Sequence, residues 1–188
     1  GGAEDQHMTL QSIGKLVVLI GVLEEFGLSK LLSWSRLEPS GDDFSSIARL
    51  DQFGPVPSNP MLNAGAISLC SHVPGDIEQQ QRWIASWVER LFGAPMSINE
   101  RIMQSELATG DRNRSLAYLL QSNRLLGSSV VDTLRLYFGL CAYEVPLAKA
   151  VYLPYLLLRK GLNEKNEAVF SEKTAQQVIA LMATCGLY

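Results

Sequence analysis

Gln11-Ser12-Ile13-Gly14-Lys15-Leu16-Val17-Val18-Leu19-Ile20-Gly21-Val22-Leu23-Glu24-Glu25-Phe26-Gly27 decides the fold. Apolar side chains fall on nearly every face of a helical wheel over residues 11–26, which predicts a central helix buried all round. Gly27 ends it, and a short helix over 29–34 follows. Residues 38–59, rich in Pro, Gly, Ser and Asp, read as a loop. Outward from there the chain is a series of helices. Asn59-Pro60 opens one that runs to 71, with Pro in the first turn, where a missing N–H costs nothing. Asp76 caps the next, through 91, with Ile77, Trp83, Ile84, Trp87, Val88 and Leu91 on its apolar face. A fourth begins near Asn99 and breaks at Thr109-Gly110-Asp111. Asp111 caps a fifth, through 122. Three more cover 129–142, 146–160 and 171–184. Short extended pieces at 8–10 and 168–170 are the only strand signals, so the chain alone reads as mainly α.

The chain has 188 residues, 47% of them hydrophobic and 19% charged, which suits one globular domain that needs no staples. The formal charge is −3 with no basic patch, which argues against nucleic acid as a partner. The longest apolar runs, 16–22 and 151–158, fall short of the ~20 residues that span a bilayer, so no membrane partner is expected. Cys70, Cys141 and Cys185 are irregularly spaced and odd in number, and read as buried thiols of a cytoplasmic protein. His7 and His72 lack any metal-ligand pattern, so no metal is expected. The start, Gly1-Gly2 without Met, reads as processed, tagged or truncated.

Ser12-Ile13-Gly14-Lys15 is the first candidate for chemistry. Spacing of i and i+3 puts both side chains on one helical face. A serine hydroxyl attacks a carbonyl only if a base removes its proton, and a lysine does so when burial depresses its pKa. The same tetrapeptide alone also fits an N-capping serine followed by a solvated lysine. Asn63, among small apolar residues in 59–67, needs hydrogen-bond partners if buried. Glu106 and Asn113 flank the Thr109-Gly110-Asp111 break, at a corner where both can face one cavity and bind an ammonium and a carboxylate group. Asp111 and Arg112 read instead as a helix cap and a salt bridge. Tyr137-Phe138 reads first as core, with a site role for Tyr137 as the alternative. Gly186 ends the last helix and releases Tyr188, either a proton donor or a frayed terminus. Lys173-Thr174 begins like a Lys-Thr-Gly strand, but Ala175 follows and the segment reads as helix.

Gln11 to Lys15, Glu38-Pro39-Ser40-Gly41 with Phe44 and Ser46-Ile47, Asn59 to Ile67, Ser105-Glu106 with Thr109 to Asn113, Tyr137-Phe138, and Thr184 to Tyr188 occur in the order seen in the serine-dependent glutaminases, the family of bacterial glutaminase and of the kidney- and liver-type enzymes. The chain resembles that family over nearly its whole length. The resemblance implies an α+β fold of the serine β-lactamase/penicillin-binding type, of which this chain is mainly the helical part. It implies a single domain over 1–188 that is incomplete at both ends, because the family continues past Tyr188 and carries more sheet before Ser12. It implies Ser12 as nucleophile, Lys15 as base and Tyr188 as helper in proton transfer. Asn63, Glu106, Asn113, Tyr137 and Tyr188 would line a pocket for L-glutamine, with Glu106 on its ammonium group and Asn63 and Asn113 on its carboxylate. No cofactor is implied, and a homodimer or homotetramer is. The chain departs from the family in having Gly14 for a usual Ser, Ser45 for a common Asn, and Tyr143 and Pro146 after Cys141. The alternatives are another Ser-x-x-Lys acyl-transferring enzyme, or a truncated or degenerate helical relative without catalysis.

Overall fold

The computed structural model describes residues 6–41, 43, 45–47, 50 and 54–186. Phe44 and Tyr188 lie outside the described residues. The 21-residue helix α1 (Gly14–Trp34) runs through the middle, with Val17, Val18, Leu19, Ile20 and Val22 wholly buried. Each such aliphatic side chain contributes about 1.5–3 kcal/mol relative to exposure. Gly27 interrupts the helix at φ 75° and ψ 169°, as its place in the sequence predicts, because only glycine adopts that backbone without strain.

Helices α2 (Asn63–Ser71), α3 (Ile77–Phe92), α4 (Glu100–Thr109), α5 (Asp111–Ser122) and α6 (Val130–Cys141) follow. Two short helices, α7 (Leu147–Ala150) and α8 (Tyr152–Leu158), precede α9 (Glu172–Thr184). Helices α2, α3, α6 and α9 pack directly on α1. Small residues let α2 lie deep: all nine of its residues are buried, Ala64, Gly65 and Ala66 among them. Three strands, β1 (His7–Thr9), β2 (Ser97–Ile98) and β3 (Tyr143–Pro146), form an antiparallel sheet in the order β1-β3-β2. Met8 pairs with Val145, and Ile98 with Tyr143.

Local signals hold at most helix starts. Asp76 and Gln79 form a reciprocal cap, and Asn99, Ser129 and Ser171 accept from the backbone two or three residues into their helices. Four expectations need correction. Residues 59–62 are a turn rather than helix, because the Asn59 side chain takes the Met61 and Leu62 N–H groups. Residues 146–160 are not one helix: Pro146 ends β3, and 147–158 form two short helices, Pro154 having no N–H to give the Ala150 carbonyl. Asp111 is not a cap: Gly110 holds that position, and Asp111 bonds Arg114 at 2.9 Å rather than pairing with Arg112. Residues 168–170 contribute one bridge, Leu162 to Ala168, rather than a strand.

The C-terminal half of α1 is clasped by two carboxylates. Glu25 accepts from the indoles of Trp83 (2.7 Å) and Trp87 (2.8 Å) on α3. One turn earlier Gly21 leaves room for those rings, since a Cβ there would lie 2.4 Å from Trp83 Cη2 and 2.9 Å from Trp87 Nε1. Glu24 accepts from the Ser171 N–H (3.0 Å), the Ser171 hydroxyl (2.6 Å) and the Thr174 hydroxyl, at the start of α9. Partial burial pushes the Glu24 carboxyl up, but the Ser171 and Thr174 bonds and the Arg90 charge outweigh it and hold the group below its usual range.

Gly21→Ala should therefore destabilise the protein by about 1–3 kcal/mol in urea unfolding, the range for overpacking a filled core; unchanged stability would mean that the indoles shift freely. Glu24 also sets an acid limb. Its folded carboxyl sits below the unfolded one, so its contribution is fully present above the unfolded value of about 4.3 and is lost as pH falls through the lowered folded value. Melting temperature followed down from pH 6 should drop more steeply for the wild type than for Glu24→Gln, and parallel curves would remove Glu24 from that role.

Candidate active site

Ser12 and Lys15 stand where β1 hands over to α1. The chain leaves the sheet at Leu10, whose N–H donates to the Tyr143 carbonyl at 2.9 Å, and makes one 3-10 turn over Gln11–Ile13. Ser12 is therefore in that turn and exposed, not in the first turn of α1 itself. Gln11, just before it, has φ 46°, a left-handed conformation that a non-glycine residue holds at a cost of about 1–3 kcal/mol. Nothing in the sequence signals this, because glutamine has no preference for that region.

Lys15, three residues on and within α1, is buried and only 3% exposed. Its ammonium donates to the Met61 carbonyl at 2.9 Å and to Asn63 Oδ1 at 2.7 Å. Among the described residues no hydrogen bond joins it to Ser12. Burial lowers its pKa to about 8, against a smaller opposing effect of Cys141.

Gly14 lies between them at the start of α1. A Cβ there would come 2.9 Å from Leu140 Cγ and 3.1 Å from the Leu140 carbonyl, so glycine lets the beginning of α1 touch α6. The helix-weakening residue is thus where two helices make their close approach. That contact brings the next residue of α6, Cys141, into the electrostatic reach of Lys15.

Asn63 continues the chain of bonds. Lysine only donates, so Asn63 presents its oxygen to Lys15, and its Nδ2 donates to Asn113 Oδ1 at 2.9 Å. That fixes the Asn113 amide with Nδ2 as its outward donor, the group that suits a carboxylate. Neighbouring Arg112 donates from Nε to the Ser45 carbonyl at 2.8 Å and holds the loop after Gly41 against the start of α5.

Glu106 lies near the end of α4. Its charge is felt by Tyr137 and Cys141, which sit one turn apart on α6. Burial, then the neighbouring thiols of Cys141 and Cys70 and the Glu106 charge, push the Tyr137 hydroxyl well up; burial and Glu106 push the Cys141 thiol up to about 12. Both are neutral near pH 8. The Thr109-Gly110-Asp111 corner is tight, since a Cβ at Gly110 would lie 2.4 Å from Phe138 Cζ. Of the residues expected to gather here, the structure links Lys15, Asn63 and Asn113 by hydrogen bonds, and Glu106 and Tyr137 through the electrostatics around Cys141. Two neighbours were missed. Cys141 read as an ordinary buried thiol, although its i+4 spacing from Tyr137 was the available signal. Asn59 read as a helix start. The described residues contain no group of His, Cys, Asp and Glu suited to a metal ion.

Comparison with known proteins places this geometry. The family model described as Glutaminase matches residues 1–188. The chain is 56% identical over 182 residues to a glutaminase of Legionella pneumophila, covering 96% of this chain and 59% of that protein. It is 38% identical over 183 residues to glutaminase 2 of Bacillus anthracis, covering 96% of this chain and 56% of the relative. The chain thus spans somewhat over half the length of these curated relatives. Among solved structures, a probable glutaminase of Bacillus subtilis superposes with a TM-score of 0.93 at 34% identity, over all of this chain (100%) and 61% of that one. A covalent complex between a Bacillus subtilis glutaminase and 5-oxo-L-norleucine superposes with a TM-score of 0.85 at 31% identity, over 100% of this chain and 60% of that one. The mainly helical architecture with its small sheet is the helical part of the β-lactamase-like fold. With a family model matched from end to end and relatives at this level of identity, the chain belongs to the glutaminase family.

Proposed function

We propose that the protein hydrolyses L-glutamine to L-glutamate and ammonia through an acyl-enzyme on Ser12. The observation that carries this reading is the pair of an exposed Ser12 and, one turn on, a buried Lys15 lowered to about 8, in a chain of the glutaminase family. A base near neutrality is what a serine nucleophile needs. The neighbour captured with 5-oxo-L-norleucine, a covalent adduct, supports chemistry of this class.

In this mechanism the neutral Lys15 amine takes the Ser12 proton as Oγ attacks the side-chain amide carbon. The developing oxyanion lies near the N-terminal end of α1, where backbone N–H groups favour negative charge. The proton returns to the amide nitrogen, the C–N bond breaks, and ammonia leaves an ester on Ser12. Water, deprotonated by the same amine, cleaves that ester and releases glutamate. Glu106 takes the substrate's ammonium group, Asn113 with Asn63 behind it takes the carboxylate, and Tyr137 completes the pocket wall. Tyr188, outside the described residues, is assigned the proton relay to the leaving ammonia. Residues 1–188 act as part of one domain, in a homo-oligomer. No described helix is long and apolar enough to cross a membrane, and the three cysteines are free and buried; we assign the protein to the cytoplasm on the rarity of disulfides there.

The test compares ammonia release by the chain alone and by the longest natural form of the protein, with Ser12→Ala in each. Ser12→Ala should lower kcat/KM at least about a thousandfold and leave stability within about 0.5 kcal/mol, since Ser12 is exposed. Silence of the longer form on glutamine would sink the assignment. The wild-type kcat/KM should rise about tenfold per pH unit below 8, as Lys15 loses its proton, and level off above it. A profile flat from pH 6 to 9 would remove Lys15 as the base.

A further inference from the structure

Asn59 is 0% exposed and uses its full hydrogen-bonding capacity. Its Oδ1 accepts from the Met61 N–H (3.0 Å) and the Leu62 N–H (3.2 Å). Its Nδ2 donates to the Glu38 carbonyl (2.7 Å) and to the Cys185 carbonyl (3.3 Å), 21 and 126 residues away. An asparagine that only shapes a turn needs the first pair of bonds and no burial. The second pair shows a wider task, for the two segments it reaches also bind each other: the Ser40 N–H donates to the same Cys185 carbonyl at 2.9 Å. The packing is close on both sides. A Cβ on Gly65 would lie 2.1 Å from the Asn59 carbonyl, and one on Gly186 2.9 Å from the Gly41 nitrogen.

The turn that Asn59 closes carries one acceptor of Lys15, the Met61 carbonyl, and leads two residues on to another, Asn63 Oδ1 at the start of α2. We infer that Asn59 is a positioning residue for Lys15: it fixes the turn that receives the lysine amine and ties that turn to segments 38–40 and 185–186, so that the base and the edges of its site are set as one unit. The inference rests on the reading of Lys15 as the base. It assigns to Asn59 no contact with substrate.

A mere filler would differ in the direction of its effect on Lys15. The Met61 carbonyl favours the charged amine, so withdrawing it while burial persists lowers the lysine's pKa. Loosening the region admits water and raises it toward the ordinary value of about 10.4. Of the described groups that act on Lys15, Cys141 on α6 stays neutral through this window and Asn63 does not titrate.

The experiment is competitive acetylation of the full chain with acetic anhydride from pH 6 to 10, with the Lys15 peptide read by mass spectrometry. The wild-type midpoint is expected at about 8. Asn59→Ala should move it down by about one pH unit, the size expected for one hydrogen bond to a charged group. Asn59→Ser, whose hydroxyl still accepts from the turn, should move it the same way by less, and carries the test if the alanine variant does not fold. Leu157→Ala, a buried change on α8, should lower the melting temperature and leave the midpoint in place. Where ammonia release is measurable, the midpoint of kcat/KM against pH should follow the labelling midpoint. An unchanged or rising midpoint in the Asn59 variants overturns the inference. The labelling needs no substrate, so failure of the glutaminase assay and failure of this role are separate results.

Discussion

The ammonium of Lys15 lies inside the most apolar helix of the protein, and much of the surrounding structure answers to that placement. A buried cation costs several kcal/mol unless hydrogen bonds replace its water. The side chains that follow it on α1, Leu16 to Ile20, are aliphatic and offer no acceptor. Two acceptors come from the turn before α2 and its first residue, where the Met61 carbonyl and Asn63 approach from 46 and 48 residues along the chain. That turn needs Asn59 to close it, and α2 needs small residues to bring it near. The result is a lysine stable where it stands yet within reach of losing its proton.

The two ends of α1 do different work. At the start, Gln11 holds a left-handed backbone, Ser12 is exposed and the bare backbone of Gly14 lies against α6. Toward the end, Glu24 and Glu25 grip α9 and α3 through hydroxyls and indoles, and the Gly27 kink follows them. Aliphatic burial along the middle holds these ends in a fixed relation. The clasp toward the end is built of hydrogen bonds between elements, while the start of α1 leaves Ser12 exposed.

Much of the fold was legible because its signals are local. Asp76, Asn99, Ser129 and Ser171 start helices wherever they are read, since a cap satisfies N–H groups two or three residues away. Gly27 and Gly186 need a backbone open only to glycine. The misreadings share one cause. Asn59-Pro60 looks like a helix start until the Asn59 side chain is seen to take the N–H groups of the turn. Residues 143–146 look like the approach to a helix until β1 and β2 pair with them. Asp111 looks like a cap until Arg114 takes its carboxylate.

The sequence by itself determined that a serine stands at the head of a buried helix with a lysine three residues on inside it, and its ordered motifs marked the family. It did so through the 3.6-residue period and the capping chemistry, both contained within a few residues. Only the tertiary structure decided that Lys15 faces two acceptors instead of solvent, that Asn63 hands its bond on to Asn113, that Cys141 stands in the wall beside Tyr137, and that Asn59 joins three distant segments. Burial and hydrogen-bond partnership are properties of pairs far apart in the chain, and no local pattern records which partner arrives.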